Sequence, residues 1–102
     1  MINNNVIGST ETALLTVPAG KNYANVTVLL CNTSSTLDEI VTIYAKVSGS
    51  GVDGNTIIKE FVIPAKDTFV FESKLLLGEA NVISAKGANG AICTATLSYL
   101  EI

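Results

Sequence analysis

Apolar side chains recur at every second position in several stretches: Val26, Val28 and Leu30; Val41, Ile43, Ala45 and Val47; Cys93, Ala95, Leu97 and Tyr99. A spacing of two puts each set on one face of a strand, and helical spacing is nowhere sustained over ten residues. Turn-forming residues cut the chain between these stretches, at Gly8, Pro18-Ala19-Gly20, Asn32-Thr33-Ser34-Ser35, 49–54, Pro64, Gly78 and Gly87-Ala88-Asn89-Gly90. The pattern predicts strands near 4–7, 11–17, 23–31, 38–47, 55–63, 67–72, 81–86 and 91–101. Val, Ile and Thr supply 31 of the 102 residues, and their branched Cβ suits a pleated strand better than a helix. Seven or eight short strands predict one all-β domain over residues 1–102, an antiparallel two-sheet β-sandwich. Jelly-roll-like and immunoglobulin-like arrangements both fit, although a chain with no tryptophan lacks the Cys…Trp…Cys signature of a true immunoglobulin domain.

Several stretches break the alternation with neighbouring apolar residues: Leu29-Leu30-Cys31, Ile57-Ile58, Phe69-Val70-Phe71 and Leu75-Leu76-Leu77. One core face cannot take both members of a neighbouring pair, and a domain of this size buries only about two-thirds of its unfolded surface. With 48% hydrophobic residues and a mean hydropathy of +0.47, the chain carries an apolar surplus. The surplus predicts a second buried surface, formed with copies of itself or with a larger partner. Leu29, Ile58, Val70, Leu75 and Leu76 are the interface candidates.

A weak internal echo accompanies the pattern. Val17-Pro18-Ala19 followed by Tyr23 returns 46 positions later as Ile63-Pro64-Ala65 followed by Phe69. In each copy proline would end one strand and the aromatic would open the next, so the two read as related corners of the sandwich.

Composition removes most chemistry. The chain has no histidine and no arginine, so it has no imidazole base, no imidazole metal ligand and no guanidinium clamp. A net charge of −3, with six lysines scattered singly, leaves no basic stripe for a nucleic acid. The Met1-Ile2-Asn3-Asn4-Asn5 start resembles no signal peptide, and no apolar run is long enough to span a membrane. The expectation is a protein made in the host cytoplasm, with no cofactor, no nucleic acid and no membrane among its partners.

The remaining candidates are weak. Gly49, Gly51 and Gly54 match the G-x-G-x-x-G spacing of a dinucleotide loop, but residues 55–63 read as a strand where a helix should begin. A solvated loop explains them, and it should tolerate shortening. Asp53-Gly54-Asn55 could lend oxygens to calcium, yet no second acidic cluster lies nearby. Asp38-Glu39, the one adjacent acid pair, would point to opposite faces of a strand and is read as solvated. Cys31 and Cys93 are read as reduced, buried strand residues. No residue is nominated as catalytic, and the chain is not read as an enzyme.

Four stretches resemble a family of small β-sandwich virion proteins of tailed bacteriophages: 16–23 (TVPAGKNY), 30–34 (LCNTS), 63–71 (IPAKDTFVF) and 96–102 (TLSYLEI). Lys66 departs from the pattern, standing where the second I-P-A motif commonly has glycine. The resemblance implies a non-enzymatic structural role in the virion, as a capsid decoration or cement protein docked on the major capsid lattice. It implies no catalytic or cofactor-binding residue, and its partners would be the major capsid protein or other virion proteins, with homo-oligomers common. A tail- or fibre-associated subunit, or a receptor- or carbohydrate-binding tip, is the alternative. Sugar binders usually present aromatics for stacking, and this chain has three tyrosines, three phenylalanines and no tryptophan.

Overall fold

The alternating stretches become nine strands in the computed structural model, which describes residues 1–47, 49 and 51–102, all with side chains except residue 53. They are β1 (Ile2–Ile7), β2 (Thr12–Thr16), β3 (Tyr23–Asn32), β4 (Glu39–Lys46), β5 (Thr56–Ile63), β6 (Thr68–Glu72), β7 (Leu76–Leu77), β8 (Val82–Gly87) and β9 (Cys93–Glu101), with one 3-10 turn at Asp53–Asn55. Eight lie where the apolar spacing predicts them. The ninth, β7, is two residues long and too short to show a period.

The strands form two antiparallel sheets. One runs β1-β9-β3-β6, with β7 also paired to β3, and the other runs β2-β8-β4-β5. The pairs β1/β9, β2/β8, β3/β6 and β4/β5 are those of a single long hairpin that turns between β4 and β5. Rolling that hairpin on itself adds the pairs β3/β9 and β4/β8. This is the jelly-roll order, and it decides between the two sandwich arrangements that the strand count allows.

Between the sheets lies one continuous apolar cluster that includes Ile7, Leu14, Leu15, Val26, Val28, Leu30, Val41, Ile43, Ile63, Ile83 and Leu97. Each such side chain, taken fully out of water, contributes roughly 1.5–3 kcal/mol. The inner rows of the first sheet follow from the register: Asn5, Ala95, Leu30 and Phe69 lie across four strands, then Asn3, Leu97, Val28 and Phe71. A bulge between Ala13 and Leu15 turns both Leu14 and Leu15 inward, which strict alternation would forbid.

The sandwich is sealed differently on its two open sides. Between β1 and β2, the amide groups of Asn3 and Asn5 donate to the Leu14 carbonyl, at 2.7 and 3.2 Å. That carbonyl sits at the bulge, where the side-chain donors satisfy it. Between β5 and β6, the rings of Phe61 and Phe69 pack at 4.2 Å between centroids, one from each sheet.

The echoed motifs build the same corner twice. Val17 and Ile63 are both buried, and each following turn is closed by a backbone bond, Lys21 N–H to the Pro18 carbonyl at 3.2 Å and Asp67 N–H to the Pro64 carbonyl at 3.0 Å. The third residue of each turn is left-handed, Gly20 at φ 77° and Lys66 at φ 66°. These corners carry the chain from the second sheet to the first, from β2 to β3 and from β5 to β6.

Lys66 therefore occupies the position where glycine is at ease. A left-handed side chain costs about 1–2 kcal/mol, and glycine's extra backbone freedom when unfolded returns part of that. Lys66→Gly is expected to raise stability by about 0.5–1 kcal/mol, read as a higher urea midpoint at unchanged slope.

Candidate interaction surface

The outer faces of the two sheets differ in chemistry. On the five-stranded sheet the register lines up Val6, Thr94, Cys31 and Thr68 in one row, Asn4, Thr96, Leu29 and Val70 in the next, and Ile2, Ser98, Thr27 and Glu72 in a third. A shorter fourth row joins Leu100, Ala24 and Leu76. The face is aliphatic and hydroxylic, and Glu72 is the single charge in these rows. Val70 is 49% exposed, Leu76 73% and Leu100 55%. Within the second row Thr96 donates its hydroxyl to Asn4 Oδ1 at 2.9 Å, which meets polar demand inside the face.

The opposite face carries charge. Lys86 lies beside Thr42 in the register, and Lys46 is ion-paired with Glu11. The Glu11 carboxylate also accepts from the Ser84 hydroxyl and from the Gly51 N–H, the latter at 2.7 Å. The Lys46 ammonium first, then the Ser84 hydroxyl and the Gly51 amide, hold the Glu11 carboxyl well below the usual range, at about 2. Gly51 lies so close to Tyr44 that a Cβ there would come within 2.6 Å of the ring. The expectation of a fully solvated 49–54 loop is corrected at this residue, since Gly51 packs on a buried tyrosine. Residue 50 and the Asp53 side chain lie outside what the structure describes, and so does the calcium reading that depends on Asp53.

Asp38 and Glu39 do point apart, but Glu39 is not solvated. It is 0% exposed, and its Oε1 accepts from the N–H groups of Ile40, Ala88 and Asn89 at 2.9, 2.9 and 2.8 Å. Its Oε2 has no hydrogen-bond partner and lies against Gly87, where a Cβ would be 2.4 Å away. Asn32, also fully buried, donates to the Leu37 and Ile63 carbonyls at 2.8 and 2.9 Å. Together these two side chains hold the loops at one end of the sandwich. A signal for Glu39 was present in the chain, because Glu39 precedes Ile40 and Val41 with the phase of the inward set.

Of the interface candidates, the fold brings Leu29 and Val70 face to face across β3 and β6, with Leu76 on the same outer surface. Ile58 and Leu75 lean inward instead and pack, partly buried, against the core. Ile2, Val6 and Leu100 belong to the same surface and were not among the candidates, although each has an apolar chain neighbour in Met1, Ile7 and Tyr99. Among the described residues no group of three Asp, Glu or Cys comes together to hold a metal ion. A hollow on the second sheet's side is lined by Ser9, Ile40, Thr42, Glu60 and Lys86. No helix is long and apolar enough to cross a membrane.

The two cysteines occupy adjacent strands but opposite faces: Cys31 is opposite Thr94, and its neighbour Asn32 is opposite Cys93. Both are free, Cys93 buried and Cys31 half-exposed on the outer face, so the expectation of two buried thiols holds for one of them. Burial pushes the Cys93 thiol up to about 11, which keeps it a neutral thiol at neutral pH.

Two outcomes follow from these arrangements. A thiol reagent added to the native protein at neutral pH should modify Cys31 and spare Cys93, with the second equivalent taken up only on denaturation; intact mass spectrometry reads both counts. The Glu11 carboxyl is lower in the folded state than its ordinary 4.5, so its stabilising contribution is complete above that value and drains away as pH falls toward about 2. The melting-temperature advantage of the unmodified protein over Glu11→Gln should therefore be full at pH 6 and shrink across that acid window.

Comparison of this chain with family models, with curated proteins and with solved structures finds no match.

Proposed function

We propose that this protein is a non-enzymatic structural subunit that docks on a larger protein lattice through the outer face of its five-stranded sheet. The observation that carries the reading is the charge-poor outer face, with Ile2, Val6, Leu29, Val70, Leu76 and Leu100 on it and Glu72 as its one charged residue in register. A solvated sheet face normally alternates to polar and charged residues, whereas the cores of protein interfaces are depleted of charge. Four strands spaced about 4.8 Å apart, from about 17 Å long for β6 to about 33 Å for β3, give a face on the order of 500 Å², near the lower end of what a specific contact needs. The opposite sheet also exposes aliphatic side chains, Ile40 paired with Val62, but sets them on a sheet that carries Lys86 and the Lys46–Glu11 pair.

With the resemblance to small phage virion proteins, the reading narrows to a capsid decoration or cement protein whose partner is the major capsid lattice. A fibre-associated or sugar-binding tip finds less support, because no aromatic ring stands on the outer face of the five-stranded sheet.

Val6→Lys and Leu76→Lys place a charge at two separate points of that face, each on a well-exposed side chain. Both variants should melt within about 0.5 kcal/mol of the unmodified protein. On capsids assembled without this protein, both should co-sediment at least tenfold more weakly, since each would bury an unpaired ammonium. Wild-type binding by both variants places the contact elsewhere.

A further inference from the structure

We propose that a second copy of this chain pairs with the first along the free edge of β6, antiparallel and about a two-fold axis at Val70. The edges of the two sheets are formed by β1, by β6 with the collinear β7, by β2 and by β5. An unprotected edge invites another strand, and natural sheets blunt their edges with bulges, charges or inward polar groups. Three of these edges carry such devices. In β1, Asn3 and Asn5 turn their amides across to the sister sheet. In β2, a bulge breaks the line at Leu14. In β5, the register shifts twice, and Glu60 sits at φ 50° with its N–H bonded to the Thr42 hydroxyl at 3.1 Å.

β6 carries no bulge and no inward polar group, and its one charge, Glu72, stands at its last position. Its five residues, Thr68-Phe69-Val70-Phe71-Glu72, pair with β3 in unbroken register, hold no proline, lysine or glycine, and consist mainly of strong strand formers. The strand ends its sheet, so alternate N–H and C=O groups along its outer side meet no other strand. Apolar surface gathers on the same side of the sandwich: Val70, Leu76 on the collinear β7, and Phe61, 40% exposed on the neighbouring edge of the other sheet.

The sequence of β6 is self-complementary in this register. Antiparallel pairing about Val70 sets Val70 against its own copy, Phe69 against Phe71, and Thr68 against Glu72. Two aromatic pairs and one aliphatic pair form, and the single charge of the strand meets a hydroxyl rather than its like. The contact is isologous, as a two-fold dimer requires. It also joins two five-stranded sheets into one, which doubles the charge-poor outer face to on the order of 1,000 Å². The proposal stands on the edge alone and does not require the docking reading.

Directly opposed residues bring their Cβ atoms about 5 Å apart, close enough for a disulfide with small adjustment. In a Cys31→Ser chain, Val70→Cys should convert mainly to a covalent dimer under mild oxidation, read on a non-reducing gel, and Leu29→Cys should stay monomeric. Mixing Thr68→Cys with Glu72→Cys chains should give the mixed dimer more readily than either alone. The unmodified chain should sediment as a dimer at high micromolar loading. A monomer in sedimentation overturns the proposal whatever the variants do, and so does cross-linking through Leu29→Cys in preference to Val70→Cys, which would mean stacked faces. A chain that is monomeric yet binds capsids removes the pairing and leaves the docking reading standing.

Discussion

Two sheets can share a single apolar layer only if every strand turns the same half of its residues inward and the two sides where the sheets part are closed. The rolled hairpin meets the first demand through its registers, and the second falls to a few side chains. On one side two asparagine amides converge on the Leu14 carbonyl; on the other Phe61 and Phe69 stack across the gap. The asparagines do what aliphatic residues could not, because the bulge in β2 leaves a carbonyl at the rim that needs donors. The aromatic side needs no such donor, and it leaves β6 beside it as an open edge.

Polar contacts follow the same division. The second sheet spends its outer surface on internal business: the Glu11 carboxylate gathers Lys46, Ser84 and the Gly51 amide, and Tyr44 is covered by backbone. Buried Glu39 and Asn32 bind the loops at one end. Glu39 and Asn32 are clamps held by backbone donors and acceptors, whereas Glu11 is held by two side chains and one backbone amide. What remains unspent is the outer face of the first sheet and the edge of β6. A chain with so little charge, 15% of its residues, has few means of keeping those surfaces solvated.

The strand positions, the all-β class and the apolar surplus were legible along the chain, because a period of two and the turn residues are local properties that survive without any knowledge of partners. The repeated proline corner was legible for the same reason, whereas its left-handed third residue, glycine once and lysine once, is read only from the backbone of the folded chain. The order of the strands was not, since the pairs β3/β9 and β4/β8 depend on how the hairpin rolls, and no short window records it. The phase of each neighbouring pair was equally hidden: Leu29 and Val70 face outward together only because β3 and β6 register there, whereas Ile58 and Leu75 turn in against the core. Glu39 shows the limit most directly. Its inward phase could be counted from Val41 and Ile43, but the three backbone donors that hold its carboxylate come from Ile40 and from a loop some fifty residues away. Local pattern determined which residues form strands and how much apolar surface they carry; the tertiary structure alone decided which of that surface stays exposed, because exposure is set by long-range pairing.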